Sequence, residues 1–217
     1  MTPKSQLMVM ATALTDDGTH GNFEGGLLAN RDPFQILIIC MLSTRTTERC
    51  CRAAAEGVFS RYKTPVELAK ANVAVVENLV RPAGMPGEKA VRIIAAAKYI
   101  IDVHGGTVPQ TEKELQMIKG VGPKVSAAVL SLAFGQHAVV ADTHVHKIAN
   151  RLGWVKTKSA EQTQMALMNL FDKSDWDVLN PIMVRFGREF CTAPHPHCLR
   201  CPLNDNCAKV AVDEQLP

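Results

Sequence analysis

The 217-residue chain is poor in aromatic side chains and has no long apolar run. Phe, Trp and Tyr make up 5% of it, and its longest apolar segment, Ile36 to Leu42, is far shorter than the roughly 18 residues that cross a bilayer. No membrane partner is therefore expected. With 47% hydrophobic and 21% charged residues, the chain is not disordered, collagen-like or an acidic tail. Its length suffices for a core without disulfides, in one domain or two small ones.

A strong excess of charge of one sign is also missing, since 24 Lys and Arg stand against 21 Asp and Glu. The basic residues are unevenly placed, however. They cluster within residues 45–63 and again within residues 147–158, while acids predominate in the first 30 residues. Such clusters are typical of solvated helix faces, and they also suit binding to a nucleic-acid backbone.

The seven cysteines do not suit a disulfide framework. Four of them lie between Cys191 and Cys207, and the others stand in apolar or helical segments, where they are expected to pack. A reducing, intracellular compartment with a C-terminal metal site fits this distribution better. The segment Leu7 to Leu14 resembles a cleavable signal, but the acids Asp16 and Asp17 that follow favour an amphipathic first helix and a protein that is not secreted.

Apolar residues recur with helical spacing along almost the whole chain, and strand-like alternation hardly appears. Turn residues such as Asp32-Pro33 and Thr64-Pro65 separate the periodic stretches. The sequence therefore predicts an all-α protein of short helices, without a linker between any two lobes. The predicted helical stretches are Phe34–Phe59, Val66–Leu79, Lys89–Val103, Thr111–Ile118, Val125–Phe134, Thr143–Leu152, Ser159–Leu170 and Trp176–Phe190.

The C-terminal cysteines follow the pattern Cys191-x6-Cys198-x2-Cys201-x5-Cys207. Four thiolates at this spacing can enclose a metal centre, and the prolines between them stiffen the loops. Zinc and a [4Fe-4S] cluster both accept four sulfurs, so the spacing alone does not separate them. Because these cysteines are far in sequence from any candidate catalytic group, a structural or docking role is expected.

The segment Leu115-x-x-Ile118-Lys119-Gly120-Val121-Gly122-Pro123-Lys124 predicts two helices joined by a tight glycine hairpin. Main-chain N–H groups beside the second helix would form a phosphate cradle, and such a contact does not read nucleotide sequence. A plain αα-hairpin is the simpler interpretation of two glycines alone.

Lys124 and Asp142 are the candidate catalytic pair. Lys124 begins a helix, where a cation is disfavoured, and partial burial would further favour the neutral amine that a nucleophile needs. Asp142 stands in Val140-Ala141-Asp142-Thr143-His144 and directly precedes a helical stretch. We expect it to be the N-cap of that helix, whether or not it is also catalytic.

The hairpin, the Val140–His144 segment and the cysteine tail together resemble the endonuclease III branch of the helix-hairpin-helix DNA glycosylases, from about Asp32 to Cys207. The resemblance implies a six-helix barrel lobe over residues 26–135, with the helix-hairpin-helix at 115–134. It implies a second helical lobe formed by residues 1–25 and 136–217, with DNA in a cleft between the lobes. It also implies a [4Fe-4S] cluster, rather than zinc, on Cys191, Cys198, Cys201 and Cys207.

The same resemblance implies a reaction. The family's nucleophile corresponds to Lys124 and its catalytic acid to Asp142, so a bifunctional DNA glycosylase and AP lyase of base excision repair is expected. It would act as a monomer on double-stranded DNA with damaged bases or abasic sites, removing oxidised pyrimidines of the thymine glycol type. A lysine Schiff base and β-elimination would then break the strand 3′ to the abasic site. In a prokaryote, the protein would work in the cytoplasm at the nucleoid.

Two positions depart from the family pattern. Arg45 stands where many members have a glutamine that fills the gap left by a flipped nucleotide, and a planar guanidinium suits the same task. In the loop from Gly84 to Ala90, Gly87 cannot act as a wedge, which leaves Met85 as the candidate. The DNA contacts predicted in this way are Arg45, Met85, Lys119, Gly120, Val121, Gly122 and His144.

Three other functions stay open at this point. One is a monofunctional glycosylase for mismatched or alkylated bases, in which the lysine is incidental. Another is a non-catalytic iron-sulfur DNA-binding protein, in which Lys124 contacts phosphate. The third is a zinc-stabilised helical adaptor.

Overall fold

The computed structural model describes residues 1–14 and 31–212, and the regular structure of these residues is entirely helical. The all-α prediction is confirmed. Among the described residues, no helix combines the length and apolar character that crossing a bilayer requires. The helices are α1 (Pro3–Ala13), α2 (Pro33–Leu42), α3 (Glu48–Phe59), α4 (Pro65–Ala69), α5 (Val73–Val80), α6 (Pro86–His104), α7 (Glu112–Gln116), α8 (Pro123–Phe134), α9 (Thr143–Arg151), α10 (Ala160–Leu170) and α11 (Trp176–Glu189). Short 3-10 turns lie at Arg81–Ala83, Lys173–Asp175, Cys198–Arg200 and Asn204–Asn206.

Two of the predicted helical stretches are broken in the structure. Phe34–Phe59 divides into α2 and α3, because the hydroxyl of Ser43 donates to the carbonyl of Cys40 (2.8 Å) and Thr47 then caps α3. Val66–Leu79 divides into α4 and α5, where the Asn72 side chain caps α5. Short polar side chains compete with the helical backbone in this way, and apolar periodicity does not reveal it.

The chain divides into two compact units, with one boundary between Gln136 and His137. The hairpin unit contains residues 31–136 of the described chain, and the cysteine unit contains residues 1–14 and 137–212. The predicted boundary near residue 25 lies outside the described residues.

Helix α2 forms the centre of the hairpin unit, and every residue from Ile36 to Leu42 is buried. Because α2 has no polar face, neighbouring helices must cover it on several sides. Helix α8 packs against α2, while α6 packs against α4 and α5. Burying each large aliphatic side chain stabilises the unit by about 1.5–3 kcal/mol, so the apolar core holds α8 in place.

Helix α1 belongs to the cysteine unit. Its Met10 is fully buried in a core with Met183 and Phe186 of α11. The buried Gln6 donates from Nε2 to the carbonyl of Asn206 (2.6 Å), and the carbonyl of Leu14 accepts from Nη2 of Arg185 (2.8 Å). The first contact fastens α1 to the segment that carries the C-terminal cysteines, and the second fastens the end of this helix to α11.

Candidate active site and metal centre

Helices α7 and α8 form the predicted helix-hairpin-helix. The N–H of Val121 donates to the carbonyl of Ile118 (2.9 Å) and closes the turn. Nε2 of Gln116 donates to Oγ of Ser126 (3.2 Å), which fastens α7 to α8. The buried apolar residues of the hairpin are Leu115, Ile118, Val121 and Val125. The predicted contact at Val121 therefore has neither its side chain nor its N–H group available to DNA.

The two glycines of the hairpin meet different constraints. Gly120 has a φ of +94°, and a Cβ there would lie 2.9 Å from Cδ of Arg92. Gly122 has a φ of −102° and is the N-cap of α8, with nothing within 4 Å of the place a Cβ would take. Among the described residues, neither glycine donates its N–H to a protein acceptor. The hairpin therefore presents main-chain donors beside the start of a 12-residue helix.

Lys124 is the second residue of α8, and its side chain is exposed. The sequence places it correctly at a helix N-terminus, but the expected partial burial of its side chain is not found. The next two residues of the first turn, Val125 and Ser126, are buried, while Lys124 itself is exposed. Cys40 of α2 is buried beneath this region, and burial raises the pKa of its thiol to about 12, while the charge of Lys124 opposes that rise. Cys40 is therefore a neutral core thiol at physiological pH.

Asp142 caps α9, as the sequence predicts. Its Oδ1 accepts hydrogen bonds from the N–H groups of His144 (2.9 Å) and Val145 (3.0 Å). In the described part of the chain, no hydrogen bond reaches Oδ2 of this half-buried carboxylate. The ring of His144 packs against Gly187 of α11, where a Cβ would lie 2.5 Å from Nδ1. Asp142 and His144 are thus held firmly together in the cysteine unit.

Arg45 and Met85, the predicted gap-filling and wedge residues, both adopt the left-handed conformation. Their φ angles are 52° and 48°, and neither residue is a glycine. For an ordinary residue, this conformation costs about 1–2 kcal/mol, so surrounding contacts must impose it. Both side chains are exposed.

Lys89 lies between the two turns that carry these residues, and sequence reasoning missed it. Its side chain is 4% exposed, and Nζ donates to the carbonyls of Leu42 (2.9 Å), Thr44 (2.9 Å) and Ala83 (2.7 Å). Burial lowers the pKa of Lys89. The sequence does contain a signal, because Lys89 stands four residues before buried Ile93 on the apolar face of α6.

The four C-terminal cysteines line one pocket of the cysteine unit. Its other walls are mostly apolar and include Ile148, Phe186, Phe190 and Leu203. Burial raises the pKa values of Cys201 and Cys207. Among the described residues, no three His, Cys, Asp or Glu side chains are gathered around a single point as one metal ion would require. The sulfurs are instead distributed around the pocket wall.

Arg151, a second residue that sequence reasoning missed, supports this pocket from the end of α9. Its buried guanidinium donates to Sγ of Cys191 (3.3 Å) and to the carbonyl of Thr192 (2.9 Å). The carbonyl of Arg151 accepts from Sγ of Cys207 (3.5 Å). The N–H of Lys209 also donates to that sulfur (3.4 Å). The N–H of Lys209 opposes the rise that burial causes in the pKa of Cys207.

Comparison with known proteins shows similarity to DNA repair proteins. A model of HhH-GPD superfamily base excision DNA repair proteins matches residues 38–173. Endonuclease III of Thermotoga maritima is 41% identical over 176 residues, covering 81% of this chain and 83% of that protein. A non-covalent endonuclease III–DNA complex superposes with a TM-score of 0.84 at 31% identity, covering 95% of this chain and 94% of that one. A trapped covalent endonuclease III–DNA intermediate gives the same score and identity over 96% and 97%.

Proposed function

Because the chain belongs to the HhH-GPD superfamily of base excision DNA repair proteins, we propose that it is a bifunctional DNA glycosylase and AP lyase in which Lys124 is the nucleophile and Asp142 the catalytic carboxylate. The observation that carries the assignment is the exposed amine of Lys124 at the start of α8, directly after the hairpin glycines. The trapped covalent complex among the structural neighbours supports a reaction of this class.

The reaction begins with a damaged nucleotide turned out of the duplex, at a cost of a few kcal/mol that is smaller for a lesion than for a normal pair. The lone pair of the neutral Lys124 amine attacks C1′ of the deoxyribose, and the base leaves with the electrons of the N-glycosidic bond. The attached nitrogen loses one proton, and its lone pair then breaks the bond from C1′ to the ring oxygen O4′, which takes up a proton as the ring opens. The product is a protonated Schiff base. Removal of a proton from C2′ then expels the 3′ phosphate by β-elimination.

Asp142 supplies a carboxylate without giving up its structural role. Oδ1 is engaged by the main chain of α9, while Oδ2 accepts no hydrogen bond from the described residues. A carboxylate in this arrangement stabilises positive charge as it develops on the sugar, and it accepts and returns protons during base departure.

The N–H groups of Gly120 and Gly122 and the exposed amine of Lys119 suit the DNA backbone, because phosphate contacts position a duplex without reading its sequence. Arg45 and Met85 would fill and wedge the gap in the duplex, and His144 would lie close to the DNA as well. The proposed substrates are oxidised pyrimidines and abasic sites in double-stranded DNA. The proposed enzyme acts on chromosomal DNA, and it does so as a monomer.

We further propose that Cys191, Cys198, Cys201 and Cys207 hold a [4Fe-4S] cluster. The residues fit such a group, since four sulfurs line one largely apolar pocket and donors reach two of them. Bound there, the cluster would supply cross-links between segments of the cysteine unit. Visible absorption and an iron assay distinguish it from zinc, which would leave the protein colourless.

A borohydride trap tests the proposed reaction. Three proteins are each incubated with a duplex containing one thymine glycol, and borohydride is added. They are wild type, Lys124→Ala and the control Lys98→Ala, which removes an exposed lysine of α6. We expect a covalent protein–DNA band for wild type and the control, and none for Lys124→Ala, which should still bind the duplex. A band in Lys124→Ala would assign the nucleophile to another amine. If wild type releases the base without forming a band, it is a hydrolytic glycosylase. If wild type binds the duplex but neither releases the base nor forms a band, catalysis is contradicted.

A further inference from the structure

Two turns of the hairpin unit each present an exposed left-handed residue, and one buried ammonium joins them. The first turn, residues 43–46, carries Arg45, and the second, residues 83–85, carries Met85. Nζ of Lys89 donates to the carbonyl of Thr44 in the first turn (2.9 Å) and to that of Ala83 in the second (2.7 Å). We propose that Lys89 is a positioning residue that sets the placement of Arg45 relative to Met85, and so governs how the enzyme fills the gap left by an extruded nucleotide.

Local hydrogen bonds do not connect the two turns. The hydroxyl of Thr44 donates to Met41, three residues back, and the N–H of Gly84 donates to Arg81, also three residues back. The bond from Lys89 to Thr44 in the first turn spans 45 residues of sequence, and the bond to Leu42, at the end of α2, spans 47. Among the hydrogen bonds of the described residues, those of Lys89 are the ones that join the turns.

The ammonium group suits this task better than an apolar side chain. It has three N–H donors, and the carbonyls of Leu42, Thr44 and Ala83 use all of them. Leu42 is the last residue of α2, where the helix dipole favours a cation. Among the described residues, no carboxylate lies within ion-pair distance of Lys89, so the three carbonyls are its direct partners, and the charge of the neighbouring Glu88 acts on it only from farther away. A buried charge that makes no ion pair is costly, and here it fastens two turns that would otherwise relax from the left-handed conformation.

The position of Lys89 also links it to the start of α6. Its own N–H donates to the carbonyl of Met85 (3.0 Å), one helical turn away, while its side chain reaches past Met85 to Ala83. One residue therefore contacts both ends of the turn that presents the wedge candidate. Since it also holds the turn of Arg45, a change at Lys89 should disturb both side chains together.

This inference rests on the proposed function, and base release from two duplexes tests it. In one duplex, thymine glycol faces adenine, so extrusion leaves an orphan base and a gap to fill. In the other, thymine glycol faces an abasic analogue, so no orphan base has to be held. For Lys89→Met, we expect single-turnover base release to fall about tenfold on the first duplex and less than about threefold on the second. The control Lys98→Met, which changes an exposed lysine of the same helix, should match wild type on both.

Coupling between the residues gives a second readout that a merely structural role would not produce. In an Arg45→Ala/Met85→Ala background, Lys89→Met should slow base release from the adenine-paired duplex by less than about threefold, because the side chains that it places are already gone. If Lys89→Met instead slows base release by the same factor in this background as in wild type, Lys89 acts independently of Arg45 and Met85, and the inference is wrong. Equal losses on the two duplexes would also overturn it, since they indicate general damage to the fold.

Circular dichroism and thermal unfolding check that each variant is folded at the assay temperature. If Lys89→Met does not fold, Lys89→Arg replaces it, because a planar guanidinium keeps the charge but cannot aim three donors as a tetrahedral ammonium does. The same contrast between duplexes is expected. If wild type is active but the Lys89 variant loses the same activity on both duplexes, the inference is wrong and the proposed function stands. A wild type that neither releases base nor traps a Schiff base would overturn both.

Discussion

The side chain of Arg151 is buried, and its Nη1 donates hydrogen bonds to Sγ of Cys191 (3.3 Å) and to the carbonyl of Thr192. Arg151 lies on α9, nine residues after Asp142, so one short helix connects the candidate catalytic carboxylate to the cysteine pocket. A change that disturbs this pocket should therefore also displace Asp142.

Replacing Arg151 by Met keeps most of the volume and removes every donor. Removing an outer partner of a metal ligand typically weakens metal retention about 10- to 100-fold. We expect Arg151→Met to lose iron and visible absorption faster than wild type during incubation with a chelator. Arg188→Met, which changes an exposed arginine of α11, serves as the control and should retain its metal as wild type does. Equal retention by all three proteins would contradict a supporting role for Arg151.

Gly120 and Gly122 should respond differently to alanine. At Gly120, a φ of +94° and the approach of Arg92 predict that Gly120→Ala lowers the free energy of unfolding by about 1–2 kcal/mol. Gly122 has an ordinary φ and open space, so Gly122→Ala should cost less than about 1 kcal/mol. Thermal unfolding of the two variants measures this difference.

Duplex binding by Gly122→Ala then tests the phosphate cradle. A methyl group in front of the free N–H groups would keep a phosphate away and weaken binding about tenfold, the equivalent of one charge-assisted hydrogen bond. The measurement is the dissociation constant for an undamaged duplex, because the contact should not depend on a lesion. Unchanged binding would indicate a hairpin that serves only to join two helices.

Much of the fold follows from local sequence. The pair Asp32-Pro33 predicts the start of α2, and the structure shows the Asp32 carboxylate accepting from the N–H of Gln35 (3.0 Å). Asp142 likewise caps α9 where the sequence places a cap. Such features are predictable because the donor and acceptor lie within a few residues of each other.

Lys89 and Arg151 were not predicted, because their partners are distant in sequence. The bond from Lys89 to Leu42 spans 47 residues, and that from Arg151 to Thr192 spans 41. Both residues stand among apolar neighbours on a helix, and this much can be read from the sequence. Which carbonyls or sulfurs a buried cation meets depends on packing between helices, which helical periodicity does not describe.

Asp142→Asn separates capping from catalysis. An Asn side chain still caps a helix, so the free energy of unfolding should change by only a few tenths of a kcal/mol. The carboxylate charge is lost, and we expect the single-turnover rate of base release to fall by at least about 100-fold. Asp142→Ala should lose the same activity and about 1 kcal/mol of stability in addition. Normal turnover in Asp142→Asn would show that the residue is a cap alone.

Lys119 is exposed beside the hairpin glycines, and its contact with DNA should be purely electrostatic. Each phosphate neutralised by a lysine releases counterions, so the logarithm of the binding constant falls linearly with the logarithm of salt concentration. We expect Lys119→Ala to reduce this slope by about 1 and to weaken binding equally for damaged and undamaged duplexes. The measurement is duplex affinity over a series of salt concentrations, with Lys98→Ala as the control for loss of a surface charge. A loss confined to the damaged duplex would place Lys119 at the lesion instead of at the backbone.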